Sequence, residues 1–320
     1  MASKRYLSGI QPSGLLHLGN YFGAIRNHLK HQDNAFYFIA DYHALTSTRE
    51  PEVLKANVRD VALTYLSLGL DPERAVLFRQ SDVPEVTELT WLLMTTTGMG
   101  LLERAHSYKD KVAKGISPTM ALFTYPVLMA ADILAYDSDV VPVGKDQVQH
   151  LEMTRDMASS FNAVYGEVFK LPEFILGTPE PVPGLDGDKM SKSYGNTIPI
   201  FEKGKALKKL IMSVKTDSTP LEEPKNHETC NVFQLYSLFA SPAEIEQMKA
   251  NYAGGNYGYG HAKLALFEQM KAHFAPAHER RAELERRPEL LDEILEAGAA
   301  KARAKAREVL GRARAACGLG

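Results

Sequence analysis

The sequence predicts an α/β domain built on a parallel sheet, followed by an all-helical domain. Three observations predict it. Short apolar runs alternate with helical stripes over the first part of the chain. A glycine-rich turn joins the first of these runs to a helix. After Ser193 the pattern turns helical throughout. Alternating buried strands and helices imply parallel pairing with right-handed crossovers. A chain of 320 residues with 45% hydrophobic content can bury a large core in two lobes.

Residues 5–10 form the first strand, and Pro12, Ser13 and Gly14 break it. From His17 to His28 the spacing predicts a helix, with Leu18, Tyr21, Phe22, Ile25 and Leu29 along one face. Phe36–Ala40 and Ala75–Phe78 are strand-like. Between them, Pro51–Leu68 carries a stripe of Leu54, Val58, Val61, Ala62, Tyr65 and Leu66, and Gly69 is a fitting stop. Asp139–Val143 reads as a further buried strand. Lys205–Val214, Pro242–Tyr252, His261–Phe274 and Glu289–Ala316 read as helices, with a loop marked by Pro220 and Pro224. Lys301, Arg303, Lys305, Arg307, Arg312 and Arg314 make the last helix basic. It reads as a solvated face in preference to a direct nucleic-acid contact.

The net charge of −2 means that a polyanionic partner must meet a local basic face. Cys230 and Cys317 are the two cysteines, and no signal-like start or apolar run of membrane length is present. A reduced cytoplasm and no membrane contact are the expectation. There is no G-x-G-x-x-G fingerprint, which argues against a dehydrogenase.

Two segments carry phosphate chemistry. Lys189-Met190-Ser191-Lys192-Ser193 lies between Gly187-Asp188 and Tyr194-Gly195-Asn196. Its lysines supply charge and its hydroxyls and amides supply donors, as a mobile polyphosphate clamp requires. Near the start, Ser8 to Gly14 leads into His17-Leu18-Gly19-Asn20. A strand, a glycine-rich turn and a helix start make an anion site from backbone N–H groups. Glycine lets a nucleotide come close, and His17 and Asn20, one turn apart, can both point into that site.

A third segment suits an aromatic ligand. Tyr125, Met129 and Asp132 fall at i, i+4 and i+7 on one helical face. A carboxylate in an apolar stripe needs a partner. An indole ring offers one N–H donor and a phenol one O–H, and the aspartate alone does not decide between them. Met129 would be a soft wall for the ring. Val141 and Val143 would add apolar contact from the neighbouring strand.

His17–Asn20 resembles the HIGH-type signature of class I aminoacyl-tRNA synthetases, and Lys189–Ser193 resembles their KMSKS loop. With Thr124–Leu134, Val141–His150 and Leu151–Ala158, the match runs nearly end to end. It most resembles the bacterial tryptophanyl-tRNA synthetases. The resemblance implies a Rossmann-like catalytic domain of the HIGH/KMSKS type over residues 1–186. A helical insertion at about 84–132 would carry the contacts of a homodimer. Residues 187–280 would hold the KMSKS loop and a helical anticodon-recognition domain. Residues 281–320 would form the basic helix, packed back toward the catalytic lobe. The implied activity activates L-tryptophan with ATP and transfers it to tRNA(Trp), with no covalent enzyme intermediate. Mg²⁺ would enter through the ATP phosphates, with no metal site of the protein's own. Some relatives carry a four-cysteine iron–sulfur site, which two cysteines cannot build.

Residue by residue, the resemblance implies catalytic roles for His17, Asn20, Lys189 and Lys192. ATP would also meet Gln11, Pro12, Ser13, Gly19, Gly144, Lys145, Asp146, Val182, Met190, Ser191 and Ser193. Lys145 departs from the glutamate most common in the family. Tryptophan would meet Asp132, Met129, Tyr125, Gln147, Val141 and Val143. His43 reads either as a member of this pocket or as a core histidine. Lys109 and Lys111 read either as pyrophosphate contacts or as solvated lysines. Leu92, Leu93, Leu101 and Leu102 read as interface or as core. The tyrosine-specific relatives share the fold, and their pocket helix reads Tyr-x-x-x-Gln-x-x-Asp. Met129 stands where that glutamine would be. With the run Gly144-Lys-Asp-Gln-Val-Gln-His150, it favours tryptophan. A nucleotidyl transferase or a non-catalytic paralogue would leave that helix unexplained.

Overall fold

The computed structural model describes residues 4–105, 108–109, 113, 115, 119–144, 147–176 and 182–320. Along the chain come β1 (Tyr6–Ile10), β2 (Ala35–Ile39), α1 (Pro51–Ser67), β3 (Ala75–Arg79), α2 (Glu85–Met94) and α3 (Met120–Leu134). Then follow β4 (Val140–Val143), α4 (Val148–Tyr165), β5 (Glu173–Leu176), α5 (Gly204–Met212), α6 (Pro242–Ala253), α7 (Tyr259–Arg286) and α8 (Pro288–Ala316). The chain divides into two compact units. The first comprises Met1–Gly14, His28–Thr178 and Leu284–Gly320, and the second comprises Leu15–Asn27 and Pro179–Glu283.

The first unit is built on five strands in the order β3-β2-β1-β4-β5. Every pair is parallel. Parallel strands need covering on both faces, and β2 is buried along its whole length. From β1 the sheet grows outward in both directions, to β2 on one side and to β4 on the other. Such a reversal opens a crevice at the carboxyl ends of the strands.

Edge strand β3 is shielded by α8. A Cβ at Gly298 would overlap the carbonyl oxygen of Leu77, so only glycine allows this approach. Ala299, Ala302, Ala306, Val309 and Ala313 bury the same helix. Lys301 and Arg307 keep the exposure that the sequence suggested, but five of the six basic residues are also paired with acids. Arg303 and Arg307 both bond Glu85. Lys305 and Arg312 both bond Asp137, at 2.7 and 2.6 Å. Arg314 bonds Glu88. The acids lie far away in sequence, where helical periodicity cannot reveal them.

Several elements escaped the pattern, among them the helix Val148–Tyr165, β5 and the helix Asn231–Ser237. Strand β5 has four residues, all exposed, so no apolar alternation marks it. The helix Asn231–Ser237 is short. Helix α7 outruns the expected stop at Phe274 and continues through Pro276 to Arg286. Its apolar stripe fades there, but alanine, glutamate and arginine keep helical preference. Leu92, Leu93 and Leu102 are core residues. Among the described residues, no helix is long and apolar enough to cross a membrane.

In the second unit the helix after the glycine turn opens at Leu18–Asn20 and widens into a π-helical turn at Tyr21–Ile25. Its start is tied to residues 198–200. Leu18 N donates to Ile198 O at 3.0 Å and Ile200 N donates to Leu16 O at 3.1 Å. Tyr21 bonds His273 at 2.8 Å and meets Phe274 edge to face, while Phe22 meets Phe239.

Replacing Gly298 by alanine should lower stability by about 1–3 kcal/mol through overpacking against β3. Urea unfolding would read this as a lower midpoint with an unchanged slope.

Candidate active site

The crevice of the first unit holds a cavity of about 610 Å³. Leu7, Ser8, Gly9 and Gln11 reach it from β1 and the following turn. Phe38, Ala40 and His43 reach it from β2 and the short helix after it. Tyr125, Met129 and Ile133 come from α3, and Val141, Pro142 and Val143 from β4. Thr46, Gln147 and His150 complete the walls. A Cβ at Gly9 would sit 2.5 Å from the Phe38 ring, so the glycine lets that ring pack on β1. An apolar chamber with a few convergent polar groups suits one aromatic amino acid.

Six of the seven residues expected at a tryptophan site line this cavity: Tyr125, Met129, His43, Val141, Val143 and Gln147. Tyr125 pairs its hydroxyl with His150 Nε2 at 2.7 Å. Asp132 is set apart. It is 1% exposed, and its neighbour Ile133 lines the wall in its place. The carboxylate lies 2.9 Å from His43 Nε2 and accepts from Gln80 Nε2 at 2.9 and 2.8 Å. A carboxylate is an acceptor, so the His43 proton sits on Nε2. Burial pushes the Asp132 carboxyl above its ordinary range, and the bonds from His43 and Gln80 oppose that. Sequence reasoning missed Gln80 and Ile133. The position of Gln80 just after a strand's carboxyl end was the available signal.

The expected ATP residues divide between the two units. Gln11 is exposed beside the cavity, Pro12 is buried, and Ser13 N donates to Gln11 O at 2.9 Å in a tight turn. Gly144 O accepts from Gln147 N at 3.0 Å. Lys145, Asp146 and Lys111 lie outside the described residues. Lys109 is exposed.

The second unit brings the His17 turn and the Lys189–Ser193 loop together. His17 is buried, and its backbone N–H donates to Asn20 Oδ1 at 3.0 Å. Its ring Nδ1 is buried with no partner among the described residues. Burial, and then the charge of Lys192, push the ring pKa down to about 4. The imidazole is therefore neutral at pH 7. A Cβ at Gly19 would press on the His17 ring at 3.0 Å and lie 3.5 Å from Met190 Cβ. Glycine thus lets the loop close over the helix start.

The loop itself is pinned from below. Met190 is buried and its N–H donates to Val182 O at 2.9 Å, with Val182 buried too. Asn196 is 3% exposed and bonds Ser191 N, Asp186 and Lys189 O. Ser191 and Ser193 share a hydrogen bond at 2.8 Å. Lys189 stays exposed, and Lys192 lies close enough to His17 to act on it. Asn196, a flank of the loop in sequence, is its anchor.

Residues 2–275 match the family model of class I tRNA synthetases for tryptophan and tyrosine. The chain belongs to that family. Against the tryptophan–tRNA ligase of Rhodopirellula baltica it is 57% identical over 98% of this chain and 99% of the relative. Against that of Fusobacterium nucleatum it is 56% identical over 99% and 98%. It superposes on the crystal structure of the Campylobacter jejuni tryptophanyl-tRNA synthetase, complexed with ADP and tryptophan, with a TM-score of 0.95. That alignment has 52% identity and covers 98% of this chain and all of the other. That superposition takes in the parallel sheet and the helical region that follows it.

The sign of the His17 shift sets a test. An unfolded imidazole takes its proton near pH 6.5 and the folded one near 4, so stability falls as pH drops across that interval. His17→Gln should lessen the slope of this part of the pH–stability curve measured by denaturant unfolding, while His28, also pushed down to about 4 by burial, keeps the remainder.

Proposed function

We infer that the chain is a tryptophan–tRNA ligase. The observation that carries this is identity of more than half over nearly the full length to ligases of that specificity. The cavity at the sheet reversal supports it, since a chamber walled by Met129, Ile133, Val141 and Val143 suits an indole. The reaction has two steps. Tryptophan is first activated with ATP to tryptophanyl-adenylate and pyrophosphate, and tryptophan is then transferred to the 3′ end of tRNA(Trp).

The chemistry needs no protein nucleophile. The tryptophan carboxylate attacks the α-phosphorus in line, and catalysis rests on positioning and charge stabilisation. In our reading Asp132, directly behind the wall that His43 and Ile133 form, accepts the indole N–H on a lone pair left over by Gln80 and His43, and Tyr125 and Gln147 meet the ammonium end. His17, neutral and with a free Nδ1, and Asn20 hold phosphate oxygens. Lys189 and Lys192 meet the β and γ groups as charge moves to the leaving pyrophosphate. Gln11, Pro12, Ser13, Gly19, Gly144, Lys145, Asp146, Val182, Met190, Ser191 and Ser193 complete the ATP contacts. Mg²⁺ would enter as an ion held by the ATP phosphates. When bound, it neutralises charge on the departing pyrophosphate.

The assignment of residues 187–280 to anticodon recognition is part of this proposal. So are a cytoplasmic location and a homodimer. Trp91, Met99 and Met120 in the 84–132 segment are 67%, 67% and 74% exposed, which supports the dimer reading.

Exchange of pyrophosphate into ATP, followed by charging of tRNA, tests the function. Tryptophan should support both, and tyrosine neither. Lys192→Ala should lower the activation rate about 10²-fold or more with little change in tryptophan affinity. Equal losses in rate and affinity would remove Lys192 from the transition state.

A further inference from the structure

Asp132 cannot be left alone. A carboxylate at 1% exposure must be met by donors from its surroundings. His43 is one, from the helix Asp41–Ala44. Gln80 is the other. It is also 1% exposed, and it sits in the turn Gln80–Asp82 that follows β3.

An amide has a donor end and an acceptor end, and its function depends on which way it faces. Here the direction is fixed. Gln80 Oε1 accepts the backbone N–H of Tyr42 at 3.0 Å. The NH₂ end must then face Asp132, where it spans both oxygens at 2.9 and 2.8 Å. The turn is locked a second time. Asp41 Oδ1 accepts the Ser81 backbone N–H at 2.9 Å, and Asp41 Oδ2 accepts the Ser81 hydroxyl. Gln80 is absent from the cavity wall, whereas His43 is on it. A buried amide with every atom committed, one residue beyond a strand end, is costly to keep unless its orientation matters.

We propose that Gln80 is a positioning residue for tryptophan: locked by the Tyr42 N–H, its amide holds the Asp132 carboxylate as an oriented acceptor for the indole N–H. This rests on the reading of Asp132 as the indole acceptor. Gln80 itself need not touch the substrate.

The charged and titratable groups that face Asp132 decide the pH signature. His43 and Asp41 come from one short helix, and Tyr136 lies just beyond the end of Asp132's own helix. Burial and Asp41 push the carboxyl up, while His43 and Gln80 pull it down. Removing the Gln80 bonds lets it rise further. The acid limb of kcat/KM for tryptophan then moves to higher pH. Gln80→Glu does something different. It sets a second carboxylate against the first, and the pair shares a proton. Tryptophan use by that variant should improve as pH falls.

The test is pyrophosphate exchange by the full chain from about pH 5 to pH 9, with Gln80→Met and Gln80→Glu beside the wild type. The Met variant should raise the tryptophan KM about tenfold or more and leave the ATP KM within about twofold. Its acid limb should move upward. KM does not depend on the folded fraction, so partial misfolding does not blur this result. If the Met variant shows no exchange, recovery of the Glu variant below neutral pH supports the proposal, and no recovery at any pH overturns it. A wild-type tryptophan KM or a wild-type acid limb in the Met variant also overturns it. A wild-type chain whose exchange ignores tryptophan sinks the reading of the site, and the proposal with it.

Discussion

The buried carboxylate of Asp132 is the constraint around which the first unit is arranged. It is 1% exposed, so solvent cannot satisfy its charge. Donors must therefore come from other parts of the chain. The short helix after β2 supplies His43, and the turn after β3 supplies Gln80. Both segments follow strand ends on the side where the sheet opens. The need to satisfy one acid thus ties α3 to the carboxyl ends of two strands. The cavity beside it is walled by those same elements.

The C-terminal helix reinforces the frame. It needs Gly298 to reach β3, and its arginines and lysines meet Glu85, Glu88 and Asp137. Glu85 lies three residues beyond the Gln80–Asp82 turn, and Asp137 lies three residues beyond α3. The ion pairs therefore fasten the chain next to the turn that holds Asp132 and next to the helix that carries it. Glu85 is mostly buried, so its pairs with Arg303 and Arg307 matter more than exposed pairs of equal length. In the second unit Asn196 plays a comparable part, since its side chain ties two points of the Lys189–Ser193 loop to Asp186.

Much of this was legible in the sequence. Four of the five strands were marked by β-branched and aromatic runs. The phosphate segments were marked by glycine, lysine and histidine at fixed order. Tyr125 and Met129 share a cavity face because helical spacing requires it. Other features were hidden for physical reasons. Strand β5 is exposed along its length and carries no burial pattern. Periodicity describes one helix at a time, so it could not foresee that the basic residues of α8 would meet acids from other elements. Gln80 is an ordinary glutamine in sequence. Its importance lies in what it bonds, across 52 residues to Asp132 and 38 to Tyr42.

The central claim is that Asp132, held by Gln80 and His43, exists to accept an indole N–H. Calorimetric binding of tryptophan, compared with its benzothienyl analogue in which sulfur replaces that N–H, tests this directly. The shape is nearly kept and one donor is lost. The account predicts that the analogue binds about 10²-fold or more weakly to the wild-type chain, because the acceptor is left unpaired. It also predicts that Asp132→Asn narrows the gap. Equal binding of the two ligands to the wild type would contradict it.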